Sequence, residues 1–279
     1  MVPVWSTELL AAPLFQALEP VLARVAWPAG QWPSHADYQA LLDGLPDPPR
    51  TAADALIRVA PQAASATQWE AGYEPRIYLT GELQTRSGNW HDLFNLLVWA
   101  SFPLTKAALN RRHYAAQQAR EAQGVLKQPR SPAQDVLTQF DETGVVIAYS
   151  DPELAELLRS FQWKALFWQR RARLRERMAC YLFGHGLMEK ALMPYRGMTG
   201  KGLLVPVAPA FFSLPMSERI AQLDRALADI VASPERLAQP ADLAPVPVLG
   251  FPGFTPDNET ESYYDDRDYF RPGRRAAPC

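Results

Sequence analysis

Apolar positions recur with a helical period along most of this chain, interrupted by short runs whose composition suits strands. The clearest segment spans residues 90–102, where Leu93, Phe94, Leu96, Leu97, Val98, Trp99 and Ala100 cover nearly every face of one helix. A helix that is apolar all round is buried. His91, Asp92 and Asn95 nevertheless lie along one side of it, and a buried polar group costs free energy unless it has a partner. This anomaly marks where a site would be.

The remaining pattern supplies the other elements. Residues 7–25 read as helix cut by Pro13 and Pro20, residues 37–45 as a short helix closed by Pro46, residues 51–60 as a third, and residues 76–80 as a strand. Pro103 suits the first turn of a second long helix, which Gly124 stops. Residues 136–140 and 145–149 predict a hairpin around Asp141, Glu142, Thr143 and Gly144. Asp151 and Pro152 make a helix start. The helical pattern then continues to Met193, with a break near Phe161 and Pro194 closing it. Residues 203–207 read as extended, and residues 217–231 as a helix capped by Ser217. Together these predict an α+β, mainly α fold: a single compact helical domain over residues 1–279, with its core in about 20–235, a small antiparallel β-sheet or hairpin, and a C-terminal strap from about 239.

Composition narrows the classes. A hydrophobic share of 48% suffices for a sizeable core, and a net charge of −2 offers no global attraction to nucleic acid or membrane. No apolar run reaches the roughly 18 residues of a membrane span. The opening residues lack a basic segment and a small-residue cleavage site, so no signal peptide is expected. Cys180 and Cys279 form neither a disulfide framework nor a CxxC site, which suits a cytoplasmic location. The 26 prolines lie between elements and in the tail, which makes the tail proline-rich and aromatic.

Candidate chemistry sits in three places. His91 and Asn95 are one helical turn apart and can act on one ligand, while Asp92, three residues after Asn89, resembles a capping-box partner. His185 and Glu189 repeat that spacing and can present an imidazole and a carboxylate to one metal or proton. Gly184 and Gly186 flank this histidine, at about 1 kcal/mol each in a helix interior; close approach of a backbone or a ligand would explain them. Asp141 and Glu142 suit a turn, with general base or metal ligand as the alternative. His113 follows Asn110 by one turn. The basic run holding Arg170, Arg171, Arg173 and Arg177 reads as a solvated face or as a grip on phosphate. The chain carries no GxSxG, P-loop or GxGxxG motif, which disfavours serine-triad, nucleotide-triphosphatase and dinucleotide readings.

Several stretches taken together resemble a known family. They are Asn89, Trp90, His91, Asp92, Phe94, Asn95, Val98, Trp99, Phe102 and Pro103; then Lys106, Leu109, Asn110 and His113; then Asp141, Glu142 and Gly144. Phe183, Gly184, His185, Glu189, Lys190, residues 249–253, Tyr264, Asp265 and residues 270–272 complete the pattern. It resembles the uncharacterised bacterial domain-of-unknown-function family numbered 3025, over about residues 20–272. The resemblance implies a bacterial protein of one domain, with no assigned activity and with the polar clusters and tail in one pattern.

The leading expectation is a small-molecule enzyme, hydrolase-like and working by acid/base or metal-assisted chemistry. Its catalytic candidates are His91, Asp92, Asn95, His113, Asp141, His185 and Glu189, and a divalent metal would take His91, His185 and Glu189. The alternative is a non-enzymatic RNA- or protein-binding protein using the arginine-rich helix.

Overall fold

The computed structural model describes residues 4–62, 68–126 and 128–273. The chain opens with 3₁₀ turns at Thr7–Ala11 and Pro13–Leu18, followed by the short helix α1 (Glu19–Leu22). Helix α2 (His35–Asp43) starts on a capping box between Ser34 and Asp37. Residues 51–60 form no helix: Asp54 takes φ +65° in a turn, and strand β1 (Arg58–Pro61) follows. Next come α3 (Tyr73–Thr80) and β2 (Glu82–Thr85), the latter pairing in parallel with β1.

Residues 76–80 are therefore helical rather than a strand. Gly81 is the reason for the boundary. It adopts φ +74°, and a Cβ there would lie 2.0 Å from the Leu56 carbonyl oxygen. A helix ends naturally on such a left-handed glycine, and the strand starts one residue later.

Helix α4 (Trp90–Ser101) lies in the core as its composition requires, with Leu93, Phe94, Leu96, Leu97, Val98 and Trp99 all buried. Helix α5 (Pro103–Ala122) begins at Pro103, and Gly124 follows it with φ +69°. Then the chain departs from the expected hairpin. Residues 136–140 belong to helix α6 (Pro132–Thr143), and only the second arm is a strand, β3 (Gly144–Tyr149). Ser131 caps α6 through a capping box with Gln134, and Val136, Leu137 and Phe140 fall on one buried helical face. Helix α7 (Pro152–Arg159) starts on the Asp151 cap and ends before Phe161, at φ +60°. The expected long helix beyond it is broken into a π-helical turn (Ala165–Gln169), α8 (Arg171–Arg177), strand β4 (Met178–Leu182) and α9 (His185–Ala191). Strand β5 (Thr199–Pro206), helix α10 (Met216–Ala232) and strand β6 (Ala244–Pro247) complete the set, with α10 entered from Pro215 rather than capped by Ser217.

The main sheet has the order β4-β3-β5-β6. It is mixed: β3 runs antiparallel to β4 but parallel to β5, and β5 runs antiparallel to β6. Val145, Val146, Ile147 and Ala148 of β3 are all fully buried, as an apolar run covered on both faces should be. The fold is α+β and mainly helical. Among the described residues no helix is long and apolar enough to cross a membrane. Cys180 is a buried free thiol, and Cys279 lies outside the described residues.

The tail from Gln239 to Gly273 is an ordered strap of short turns. Tyr264 and Phe270 pack on Phe167, the Trp163 indole N–H donates to the Arg271 carbonyl at 2.7 Å, and the Tyr269 hydroxyl donates to the Met198 carbonyl at 2.8 Å.

Candidate functional site

Two glycines bring the site together. The turn between β4 and α9 lies directly on the end of α6: the amides of Phe183 and Gly184 both donate to the Gly144 carbonyl, at 3.0 and 2.8 Å. A Cβ on Gly184 would stand 2.4 Å from the backbone nitrogens of Thr143 and Gly144, and one on Gly186 would stand 2.5 Å from Glu142 Oε2. The glycines around His185 thus serve a close backbone approach. The result places His185, first residue of α9, over Asp141 and Glu142 at the end of α6.

Helix α4 supplies the opposite wall. Asn89 caps it by accepting from the Asp92 amide at 3.0 Å, which orients the first turn and points His91 at α9. The two imidazoles meet edge to face with centroids 4.4 Å apart. Their nitrogens divide the surrounding carboxylates. Nε2 of His185 is 3.6 Å and Nε2 of His91 is 4.0 Å from Glu142 Oε1. Nδ1 of His91 is 3.2 Å from Glu189, and Nδ1 of His185 is 3.8 Å from Asp141. Glu189 therefore serves His91 across the interface, and not the histidine on its own helix.

Asp141 is paired with the Lys106 ammonium of α5 at 2.5 Å; the Lys106 side chain is buried and that of Asp141 is 15% exposed. Burial pushes the Asp141 carboxyl up, but the nearby Lys106 and His185 charges outweigh it and hold the group below the usual carboxylate range. The His185 imidazole beside Glu142 likewise holds that carboxyl down against its partial burial. Asp92, which resembles a cap partner by spacing, binds Arg86 instead. It accepts from the Arg86 guanidinium at 2.8 and 2.9 Å and from its amide at 2.7 Å. Burial raises the Asp92 carboxyl less than these Arg86 bonds lower it.

A cleft of about 460 Å³ opens onto this cluster. His91, Asp92, Asn95, His113, Asp141 and His185 line it, while Glu189 stands behind His91. Asn95, buried, donates to the Tyr73 hydroxyl at 2.5 Å, and among the described residues its equally buried carbonyl oxygen has no hydrogen-bond partner. Amides and hydroxyls dominate the remaining wall, with Gln62, Gln84, Gln117, Gln134 and Thr138 next to Arg86 and Arg130. Lys106 and Tyr73 are participants that the sequence does not single out for the site, and Glu142, weighed there as a base or metal ligand beside Asp141, is absent from the catalytic candidates. The adjacent acids of residues 141–142 were the available signal for Glu142; Tyr73 carried none.

The arginine-rich helix faces elsewhere. Arg170 and Arg173 pair with Glu153 at 3.0 and 2.8 Å, and Arg171 reaches Glu259, Asn258 and Tyr264 in the strap at 2.5, 3.2 and 2.9 Å. Arg175 also lies 3.7 Å from Glu259, so four arginines of the run meet acidic partners within the chain. Among the described residues, the ligand-atom geometry that suits a metal ion gathers His91, Glu142 and His185.

No curated protein and no solved structure shows detectable similarity to this chain. The family model described as a protein of unknown function, DUF3025, matches residues 57–274, starting later than the sequence resemblance implied. Covering most of the chain and all of the cluster, that match makes this protein a member of the DUF3025 family.

Proposed function

We propose that the cleft is the active site of a cytoplasmic enzyme that hydrolyses a small polar molecule, water adding a hydroxyl to one fragment and a proton to the other. One observation carries this reading. Two imidazoles from α4 and α9 share the Glu142 carboxylate at 3.6 and 4.0 Å, and each also has a carboxylate at its other nitrogen. The Glu189 carboxylate at 3.2 Å from His91 Nδ1 fixes that ring's tautomer and orientation, the preparation that proton transfer or ion binding needs, while Asp141 stands 3.8 Å from the corresponding nitrogen of His185. The amide-rich wall supplies directional hydrogen bonds for a polar substrate. The whole of residues 1–279 acts as one unit in this reading, with α4, α6 and α9 each delivering part of the cluster.

The arginine-rich surface gains no support as a nucleic-acid site, because Glu153 and Glu259 sit against its guanidinium groups. Incubating the purified protein with a polar metabolite extract and following it by mass spectrometry tests the enzymatic reading. The wild type should consume at least one polar compound, and Glu142→Gln should slow that by at least about 100-fold. Equal consumption by both chains, or none by the wild type with divalent metals supplied, contradicts it.

A further inference from the structure

We propose that His91, Glu142 and His185 hold one divalent transition-metal ion, zinc by their donor geometry, with Asp141 and Glu189 orienting the two imidazoles from behind. This deepens the reading of the cleft as an active site by naming what activates its water.

Spacing is the first argument. The contacts from the imidazole Nε2 atoms to Glu142, at 3.6 and 4.0 Å, are too long for good hydrogen bonds. Ligand atoms from all three residues nevertheless lie within 4.8 Å of one another. Around a tetrahedral zinc ion with bonds of about 2.0–2.1 Å, neighbouring ligand atoms stand about 3.3 Å apart. The two contacts to Glu142, at 3.6 and 4.0 Å, and the imidazole pair, within 4.8 Å, need to contract toward that spacing by about 1.5 Å at most to meet one ion.

The outer groups are the second. A metal-bound histidine donates its other ring N–H to a carboxylate or a carbonyl. Glu189 already stands 3.2 Å from His91 Nδ1. Asp141 stands 3.8 Å from His185 Nδ1, a buried nitrogen without a hydrogen-bond partner among the described residues, on a residue only 5% exposed. Contraction of Glu142 and His185 onto an ion lets that pair adjust as well.

Charge is the third. Asp141, Glu142 and Glu189 face one ammonium, Lys106, so with the neutral imidazoles that ligation demands the cluster carries two uncompensated negative charges. A divalent cation neutralises them. Two nitrogen donors with a single carboxylate suit zinc or iron better than magnesium or calcium, which prefer oxygen. Three protein ligands beside an open cleft leave a fourth position for water or substrate, the pattern of catalytic rather than structural zinc.

The full chain, stripped with a chelator and then dialysed against Zn²⁺, Fe²⁺ or Mn²⁺ in parallel, tests this by elemental analysis and calorimetric titration. Circular dichroism and melting of each variant serve as folding checks. The wild type should retain one zinc per chain. Glu142→Gln should weaken binding by more than about 100-fold and Glu189→Gln by about 10–100-fold. A wild-type chain that retains no metal overturns the site, as does a folded Glu142→Gln chain that binds like wild type; binding of Fe²⁺ or Mn²⁺ but not Zn²⁺ overturns the assignment to zinc. Turnover that persists in metal-free protein removes the ion and leaves the enzyme standing, whereas stoichiometric zinc without turnover of any polar metabolite does the reverse.

Discussion

Asp141 and Glu142 are consecutive carboxylates at the end of α6, and their surroundings separate them. Asp141 is enclosed with Lys106 at 2.5 Å, while Glu142 is 42% exposed toward the cleft. Lys106 is buried and Asp141 largely so, and removing one partner therefore strands a charge in a mostly enclosed position. Lys106→Ala should cost about 3–5 kcal/mol in urea unfolding, while Lys106→Met together with Asp141→Leu should recover most of it. A single-variant loss below about 1 kcal/mol, the range of exposed pairs, would contradict that account. The residue scale is also where sequence reading reached furthest. His91 and Asn95 stand out because polar groups on an apolar helix need partners, and His185 because it sits between two glycines at helical spacing from Glu189. Glu189 was paired with the wrong histidine, since helical spacing says nothing about a side chain arriving from another helix. The flanking glycines signalled a close approach correctly, but not which backbone came close.

Helices in this fold depend on capping supplied from a distance as well as from their own sequence. The first turn of α5 is capped by Asp224 of α10, whose carboxylate accepts from the amides of Leu104 and Thr105 at 3.0 and 2.8 Å and from the Thr105 hydroxyl at 2.7 Å. Because α5 carries Lys106, Asn110 and His113, this cap holds one wall of the cleft. Asp224→Ala leaves buried amides without an acceptor and should lower stability by about 1–3 kcal/mol. Chemical denaturation measures it, and an unchanged midpoint would show that the α5 terminus finds another partner. Such caps cannot be read locally, whereas those of α2, α6 and α7 can: Ser34, Ser131 and Asp151 each cap the helix that follows. The hairpin expected at residues 136–149 failed for this reason. The spacing of Ser131 and Gln134 already favoured a helix, and the apolar residues 136, 137 and 140 fit a helical face as well as a strand. Strand β4 was missed because its run, residues 178–182, continues a helical pattern without a turn signal.

At the scale of the whole molecule, the strap closes the structure on the side of the arginine-rich helix. Its central fastening is Asn258, which is fully buried. Its side-chain amide donates to the carbonyls of Leu249 and Phe251 at 2.9 and 2.7 Å, and its oxygen accepts from Arg171. Asn258→Ala should cost about 1–3 kcal/mol by leaving two buried carbonyls without donors, with melting temperature as the readout and metal content unaffected. Proline-rich composition favours disorder in such a segment, but its aromatics pack: Tyr263, Tyr264, Tyr269 and Phe270 are all buried. The mixed sheet was not legible, because the parallel pairing of β3 with β5 joins segments separated by five helical or strand elements. What the global fold contributes to the site is convergence: α4, α6 and α9, distant in sequence, deliver His91, Glu142 and His185 to one point. Anomalous diffraction at the zinc edge from crystals of the zinc-loaded full chain tests that convergence most directly. The account predicts one peak about 2.0–2.2 Å from Nε2 of both histidines and from a Glu142 oxygen; a zinc-loaded crystal with no peak there, or with its peak on other residues, would contradict it.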